Sequence, residues 1–384
     1  PASAPPLPPL LRLRINDHHE PETYFPLRSL LYLRSLRPSY RNFRLLPLLL
    51  SVLLLAGCAS PAAPEEEGAK RYEATFLTLF DTVTTVVGYA ESEEDFQATA
   101  QSLHDALLEY HQLYDIYSDY DGVVNLKAVN DAAGGAPVVV DRKIIDLLLF
   151  CRDLCEGTGG QVNAALGGVL ALWHDAREAG ISDPASAALP DAAALAKAAR
   201  HTDFSSVIID EAASTVQITD PALRLDVGAI AKGYAVEQVC RAAPDGLLLS
   251  VGGNVRATGP KPGGENWVVG IQAPDGESGA FLHTLYVRDV SVVTSGDYQR
   301  YYTVGGVRYH HIIDPATRRP AAYWRAVTVL CADSGLADAL STALFTLPQA
   351  EGQALLDRYG AEAMWVDASG GEVFSPGFSA YLRT

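Results

Sequence analysis

Residues 226–235, DVGAIAKGYA, show most clearly how this chain is built. They follow an apolar run that ends at Leu225, so we expect a strand to pass through a glycine-bearing turn into a helix. Backbone N–H groups at the start of a helix can receive an anion, and Lys232 would lie one turn inside that helix. The stretch lacks the GxxxxGK[ST] pattern of a Walker loop, and a tight strand–helix corner without a ligand has the same spacing. Both interpretations stay open for this stretch taken alone.

Strands and helices alternate on both sides of this stretch, which predicts an α+β fold. Apolar residues recur at helical spacing over 93–117 and 141–156, and further helices are expected over 230–241 and 336–345. The Ala-rich segment 175–200 is expected to be a surface excursion with a short helix. Strands are predicted over 72–90, 207–209, 216–218, 247–251, 267–272, 282–287, 308–313 and 327–331. No linker divides residues 71–384, so we expect a single unit of mixed β-sheets flanked by helices, built as one lobe or as two.

The composition argues against two classes of protein. The chain has 384 residues, of which 48% are hydrophobic and 20% charged, so it can bury a large core and is not a disordered chain. Its formal net charge of −17 argues against a nucleic-acid partner, because phosphate contacts need clustered Lys and Arg. Residues 1–57 contain seven Arg and three acidic residues, so residues 58–384 carry a net charge of −21. An anionic ligand would therefore need positive charge from a metal ion or from a few well-placed side chains.

The first 57 residues have the pattern of an export signal. Residues 45–57, LLPLLLSVLLLAG, are uncharged, follow Arg41 and Arg44, and are too few to span a membrane comfortably. The stretch ends in LAGC at Cys58, which resembles the bacterial lipobox, in which the Cys is acylated and becomes the mature N-terminus. A short buried helix with a chance Cys is the alternative. We expect a leader over 1–57, a lipid-anchored polar linker over 58–70 and one domain over 71–384, held on the extracytoplasmic side of the cell membrane.

Four cysteines follow Cys58 in the chain: Cys151, Cys155, Cys240 and Cys331. They show neither a CxxC motif nor the spacing of zinc ligands. Cys151 and Cys155 lie one turn apart on a predicted helix, which is poor geometry for a disulfide. We expect all four to be buried thiols that act as small hydrophobic side chains.

Residues 337–342, ADALST, place a carboxylate and hydroxyl groups on one predicted helix. Asp338 and Thr342 are one turn apart and share a helix face. Both offer hard oxygen ligands that suit Mg²⁺, which is commonly held by few protein ligands together with substrate phosphates. An acidic residue in the first turn of a helix without a metal explains the same pattern.

Two adjacent histidines, His310 and His311, lie in a predicted strand, where neighbouring side chains face opposite ways. A paired metal site is therefore disfavoured, and one ring can point at a site while the other does not. A lone His is more often structural, although the IIDP stop that follows favours a position at the rim of a site. Upstream, residues 294–298, TSGDY, follow an apolar strand and fit either a ligand loop or an ordinary turn.

Together these motifs resemble the ApbE family of FAD:protein FMN transferases. They are DVGAIAKGYA, SVGGNV, TSGDYQRYY, HIIDP and ADALSTALF, in this order, and LFDT, YSDY and GQVN fall where the family has its upstream flavin-contacting segments. The resemblance covers about residues 72–380 and implies a T-fold-like α+β unit with FAD as substrate and Mg²⁺ as cofactor. It also implies transfer of FMN, through a phosphoester bond, to a Thr or Ser hydroxyl of an exported or membrane-bound acceptor flavoprotein, with release of AMP.

The resemblance assigns roles to single residues. His311 would be the catalytic histidine that accepts the proton of the attacking hydroxyl. The main chain of Ala229 would bind Mg²⁺ together with Asp338 and Thr342, with Ser341 as a weaker candidate. The residues expected to contact FAD are Phe80, Tyr120, Gln161, Val162, Asn163, Asp226, Lys232 and Ile312.

The chain departs from the family pattern in its first half, where Val162 and Asn163 replace a Phe-Asp pair and residues 122–130 lack a Pro and a Ser. Two other classes also stay open. An Mg²⁺-dependent FAD pyrophosphatase would release AMP and free FMN without an acceptor, and a non-catalytic flavin-binding lipoprotein would bind FAD without releasing AMP. A solute-binding lipoprotein would fit the leader but not the HIIDP and DALST motifs.

Overall fold

The computed structural model describes residues 68–274 and 280–383. The predicted leader, the lipidation site Cys58 and most of the predicted linker lie outside these residues. The described helices are α1 (Glu93–Tyr114), α2 (Leu126–Asp131), α3 (Arg142–Gly157), α4 (Gly167–Ser182), α5 (Ala192–Ala198), α6 (Ala231–Ala242), α7 (Ser334–Phe345) and α8 (Gln349–Tyr359). The described strands are β1 (Lys70–Leu79), β2 (Thr82–Ala90), β3 (Val138–Val139), β4 (Val207–Asp210), β5 (Thr215–Ile218), β6 (Leu247–Val251), β7 (Asn254–Ala257), β8 (Trp267–Gln272), β9 (Phe281–Val287), β10 (Ser291–Gly296), β11 (Tyr301–Val304), β12 (Val307–His310), β13 (Ile313–Asp314), β14 (Arg319–Pro320), β15 (Ala326–Cys331), β16 (Glu362–Val366) and β17 (Glu372–Phe374).

A sheet of eight strands, in the order β1-β2-β6-β7-β10-β15-β16-β17, forms the centre of the fold. Neighbouring strands in it are antiparallel throughout, rather than in the mixed arrangement that we expected. Val86 and Val87 are both fully buried although successive residues of a strand point to opposite faces. The sheet therefore has a hydrophobic core on each face, and the predicted α+β class is confirmed.

Helices cover one face of the sheet and a hairpin covers the other. α1, α3, α6 and α7 pack on the face that carries Val86, whereas the β8–β9 hairpin packs on the opposite face through Trp267. A smaller cluster joins α4 and α5 to the β11–β12 hairpin around Trp173 and Tyr302. Among the described helices, none is both long enough and apolar enough to cross a membrane.

Helix α1 shows how local signals set the ends of an element. Ser92 caps it by accepting the backbone N–H of Asp95 at 3.1 Å, and three acidic residues occupy its first turn. The helix ends at Tyr114, three residues earlier than predicted, because Asp115 adopts an extended conformation. The Asp115 carboxylate then accepts the N–H of Tyr117 at 2.6 Å, which turns the chain away from the helix axis.

Two further predictions of local structure are wrong in part. The start of the expected excursion over 175–200 belongs to α4, which extends to Ser182 and buries Trp173, whereas the expected short helix is present as α5. The expected strand over 308–313 is broken, because β12 ends at His310 and β13 begins at Ile313. In the break, the N–H of His311 donates to the carbonyl oxygen of Arg300 at 3.1 Å. This break sets the direction of the His311 side chain.

The four cysteines of the domain are free thiols, as predicted, and Cys151, Cys240 and Cys331 are also buried as expected. Cys155 is only partly buried, so the prediction is wrong for that residue. Burial raises the pKa of Cys240 to about 12, which keeps its thiol protonated and unreactive at neutral pH.

Candidate functional site

The crossing of α6 and α7 forms the centre of the candidate site. The Asp338 side chain on α7 is buried, and its Oδ2 accepts the N–H of Gly233 at 2.9 Å and the side-chain N–H of Asn254 at 3.0 Å. The Lys232 ammonium lies 3.5 Å from the same oxygen. These donors compensate the buried carboxylate and hold it at the start of α6.

Gly233 makes this crossing possible. A Cβ at this position would lie 2.3 Å from the carbonyl oxygen of Ser334 and 2.5 Å from the Cβ of Asp338. Real Cβ atoms do not approach other atoms so closely, so α6 and α7 can only meet here through a glycine. The glycine of the AKGYA motif therefore serves helix packing, rather than a phosphate-binding turn.

The predicted metal ligands lie at this crossing. Within the described part of the chain, no hydrogen bond reaches Asp338 Oδ1 or the Thr342 hydroxyl one turn further along α7. The Ser341 hydroxyl, in contrast, donates to the carbonyl oxygen of Asp338 at 2.8 Å and lies 2.7 Å from the Ser295 hydroxyl. Ala229 lies in the turn directly before α6. Asp338 and Thr342 thus have free oxygens, while Ser341 is engaged in hydrogen bonds.

These residues fit a magnesium ion better than a transition metal. Among the described residues, no group of three or more His, Cys, Asp or Glu side chains could hold a metal ion. One carboxylate, one hydroxyl and one main-chain carbonyl make an all-oxygen set with few protein ligands, which is the kind of set that Mg²⁺ accepts when a phosphate completes it.

Asp226 lies at the turn into α6 and is braced from both sides. Its N–H donates to the carbonyl oxygen of Ala164 at 2.8 Å, and its Oδ1 accepts the N–H of Gly228 at 2.8 Å. Burial raises the pKa of the Asp226 carboxyl, and the Gly228 hydrogen bond and the charge of Lys232 partly offset this shift. The Lys232 ammonium also lies 3.4 Å from the carbonyl oxygen of Gly228. Lys232 therefore bridges the turn and Asp338.

The two adjacent histidines have different surroundings. His310 is buried, with Nε2 2.9 Å from the carbonyl oxygen of Ala321 and Nδ1 accepting the N–H of buried Ile312 at 3.2 Å. His311 is half-buried, and its Nδ1 lies 3.2 Å from the carbonyl oxygen of Arg300. A carbonyl can only accept, so Nδ1 carries the proton and Nε2 of the neutral ring is a free base. His310 has a structural role, and His311 is the one that can act as a base.

Burial is the main reason that the pKa of His311 is lowered, and nearby positive charges add to it. The largest contribution after burial comes from the Arg300 guanidinium, and Arg177 acts in the same direction. The pKa of His311 falls to about 3, so its imidazole is neutral throughout the physiological range. A neutral imidazole is the form that can accept a proton.

Phe80 and Tyr120, which lie far apart in the sequence, meet at His111. Phe80 is the first residue of the two-residue β1–β2 turn and has a positive φ of 51°. Its N–H donates to His111 Nδ1 at 3.3 Å, and the Tyr120 hydroxyl lies 3.2 Å from His111 Nε2. The same hydroxyl donates to Asp115 at 2.7 Å. The two predicted ring-contacting residues thus form one aromatic cluster.

The segment before α4 is braced internally. Gln161 accepts a hydrogen bond from the Thr346 hydroxyl at 2.9 Å, and Val162 is buried. The Asn163 amide donates to the carbonyl oxygen of Thr202 at 2.9 Å, and its Oδ1 accepts the N–H of Ala165 at 2.8 Å. These polar groups therefore have partners within the protein. Their predicted contacts with FAD stay predictions.

The 294–298 segment is mainly structural. Thr294 and Ser295 belong to β10, and the Thr294 hydroxyl lies 2.9 Å from that of Thr328. Asp297 donates its N–H to the carbonyl oxygen of Arg325 at 2.9 Å. Within this segment, the Ser295 hydroxyl makes a hydrogen bond to α7, through Ser341.

Comparison with known proteins identifies the family. The ApbE family model matches residues 80–365. The chain belongs to the ApbE family. A relative from Treponema pallidum named FAD:protein FMN transferase is 38% identical over 260 residues, which cover 63% of this chain and 70% of the relative. Another of that name from Vibrio cholerae is 28% identical over 315 residues, which cover 80% of this chain and 89% of the relative.

Solved ApbE structures share the fold. The ApbE protein of Thermotoga maritima has a TM-score of 0.73 and 28% identity, and the match covers 82% of this chain and 100% of that one. The flavinyl transferase ApbE of Pseudomonas stutzeri, in its apo form, has a TM-score of 0.67 and 26% identity, covering 82% and 98% of the two chains. The predicted family and fold class are therefore confirmed.

Sequence reasoning missed several residues of this ApbE site. Arg177 and Arg300 supply positive charge near His311, and His111 links Phe80 to Tyr120. Arg300 lies inside the TSGDYQRYY motif and could have been considered, whereas Arg177 and His111 lie on helix faces with no distinguishing pattern. Only the approach of α1, α4 and the β11–β12 hairpin brings them to the site.

Proposed function

We propose that this protein is an FAD:protein FMN transferase that moves FMN from FAD to a Thr or Ser hydroxyl of an acceptor flavoprotein. The observation that supports this most is the state of His311: its Nδ1 is committed to the Arg300 carbonyl and its Nε2 is a free base. Catalysis of phosphoryl transfer depends mainly on positioning and charge stabilisation, and a placed base is the additional group that a hydroxyl nucleophile needs.

The acceptor oxygen forms a bond to the FMN-side phosphorus of FAD, and the bond from that phosphorus to the bridging oxygen breaks. AMP leaves with the bridging oxygen, and the hydroxyl proton passes to His311 Nε2. Lys232, Arg177 and Arg300 provide positive charge around the pyrophosphate in a domain that is otherwise strongly acidic.

Asp338, Thr342 and the carbonyl of Ala229 would hold Mg²⁺, with Ser341 as a weaker ligand because its hydroxyl is engaged. When bound, Mg²⁺ neutralises charge on the pyrophosphate and on the leaving phosphate. Asp338 Oδ2 stays with its protein donors, so the residue can offer Oδ1 without leaving its place.

We also propose that the mature protein is anchored by a lipid on Cys58 and works on the extracytoplasmic side of the membrane. The lipobox-like LAGC sequence and the polar linker after it support this proposal. The acceptor would then be an exported or membrane-bound flavoprotein. Labelling of cells with a radioactive fatty acid tests the anchor. The protein should become radioactive, and the Cys58→Ala variant should not.

Incubation of the protein with FAD, Mg²⁺ and a candidate acceptor domain tests the activity. The expected result is stoichiometric release of AMP with covalent flavin fluorescence on the acceptor in a denaturing gel. Release of AMP and free FMN without an acceptor would instead identify a pyrophosphatase. FAD binding without AMP under every condition would identify a flavin-binding lipoprotein, and either result would overturn the proposal.

A further inference from the structure

Tyr117 is unusually exposed for an aromatic side chain near a buried site. Its exposed fraction is 59%, yet its ring stacks on His174 with centroids 5.2 Å apart and planes 26° from parallel. No hydrogen bond from the described residues reaches its hydroxyl. A stacked ring with this exposure has one face on His174 and leaves apolar surface open to solvent.

Both rings of this pair are held in place from behind. The N–H of Tyr117 donates to Asp115 Oδ1 at 2.6 Å, and Asp115 Oδ2 accepts the hydroxyl of Tyr120. His174 Nδ1 accepts a hydrogen bond from the Arg177 guanidinium at 3.0 Å, and the Arg177 side chain is only 13% exposed. The pair is therefore set before any ligand arrives, which lowers the entropy cost of binding.

Helix α4 links the pair to both parts of the candidate site. The N–H of Asp226 donates at 2.8 Å to the carbonyl oxygen of Ala164, just before α4. Trp173, beside His174 on α4, stacks on Tyr309 of β12 with ring centroids 6.1 Å apart, and β12 ends directly before His311. The stacked pair therefore lies on the helix that joins the turn at Asp226 to the break that contains His311.

We propose that Tyr117 and His174 form a stacking platform for a planar ring of FAD, either the adenine or the isoalloxazine. The proposal rests on the proposed function, because it takes FAD as the ligand, and adds a contact that the sequence motifs do not assign. The open face of Tyr117 offers the ring a flat apolar surface, and the Arg177 guanidinium, which is hydrogen-bonded to His174, supplies positive charge for the attached phosphates.

Titration of the full protein with FAD, followed by flavin fluorescence, tests the platform. Tyr117→Ala is expected to raise the Kd for FAD about 5- to 150-fold, the range for loss of one aromatic stack. Tyr117→Phe should restore most of the affinity, because the ring rather than the hydroxyl makes the contact. Tyr286→Ala is the matched control, since Tyr286 is 40% exposed and lies on β9, in the hairpin that covers the opposite face of the sheet from α6 and α7.

Separate titrations with AMP and with FMN show which ring is stacked, because only the ligand that carries that ring should bind more weakly to Tyr117→Ala. In the transfer assay, the KM for FAD should rise with the Kd, while kcat falls far less. An unchanged Kd for FAD in folded Tyr117→Ala, or a Tyr117→Phe variant as weak as Tyr117→Ala, would overturn the platform.

The two proposals fail in different ways. Transfer of FMN with an unchanged Kd in Tyr117→Ala would refute the platform and leave the transferase. Wild-type binding of FAD that weakens in Tyr117→Ala, without transfer to any acceptor, would refute the transferase and leave the platform. Absence of FAD binding by the wild-type protein would refute both.

Discussion

Replacing Gly233 with alanine would place a methyl group 2.3 Å from the carbonyl oxygen of Ser334 and 2.5 Å from the Cβ of Asp338. Both neighbours belong to the rigid framework of α7, so the helices must move apart. Overpacking of this kind costs about 1–3 kcal/mol. Loss of the hydrogen bond from Gly233 to the Asp338 carboxylate costs about 1.5–3 kcal/mol more. Since alanine regains about 1 kcal/mol of helix propensity, we expect a net loss of about 1.5–5 kcal/mol in the free energy of unfolding.

Urea unfolding followed by circular dichroism measures this loss. Gly168→Ala on α4 is the matched control, because a Cβ there would meet only ordinary contacts, at 3.8 Å from Ala198 and 3.9 Å from Ala222. The control should be as stable as the wild type or up to about 1 kcal/mol more stable, through helix propensity alone. A Gly233→Ala protein within about 0.5 kcal/mol of the wild type would refute the close crossing of α6 and α7.

Four further outcomes are expected. His311→Ala should abolish FMN transfer but keep FAD binding. The control is His283→Gln, which should keep both, because His283 pairs with Glu372 elsewhere in the protein. Transfer by His311→Ala, measured as in-gel flavin fluorescence, would exclude His311 as the base. Because the pKa of His311 is lowered to about 3, kcat/KM should show no acid limb with a midpoint near about 6.5, and such a limb would contradict the assignment. The folded-state pKa values of His310 and His311 are both lowered, so the unfolded state binds more protons at acidic pH. The free energy of unfolding, measured with urea, should therefore decrease as the pH falls from about 6.5 towards 3. A flat pH profile that His311→Gln leaves unchanged would argue against these pKa shifts. Chelation of Mg²⁺ with EDTA and the Asp338→Ala substitution should each remove nearly all transfer, and activity that survives either one would argue against the Mg²⁺ site.

The elements that could be predicted are those with a local signal. The strands over 247–251 and 267–272 agree with β6 and β8, and the helix predicted over 230–241 differs from α6 by one residue at each end. Periodicity and capping lie within the segment itself, so neighbouring residues are enough to read them.

The errors occur where a distant residue decides the backbone. The strand predicted over 308–313 breaks at His311 because the Arg300 carbonyl takes its N–H, and α4 continues into the Ala-rich segment where Trp173 packs against the β11–β12 hairpin. The early end of α1 is the local exception, because Asp115 accepts the N–H of Tyr117 only two residues later. Side-chain and main-chain partners of this kind leave no periodic trace in the sequence.

The sequence by itself determined the chemical inventory of the site. The order of its motifs indicated the ApbE family, and the residue types supplied a base, oxygen ligands for Mg²⁺ and a lysine. These properties depend on which residues are present and on their spacing along the chain.

Only the tertiary structure decided how these groups work together. Asp338 receives its hydrogen bonds from Gly233 and Asn254, which are 105 and 84 residues away in the chain. The tautomer of His311 is set by the carbonyl oxygen of Arg300, directly before β11. The stacked rings of Tyr117 and His174 likewise join the segment after α1 to α4. Hydrogen bonds and close packing act over a few ångströms in space, so partners distant in sequence become visible only once the chain has folded.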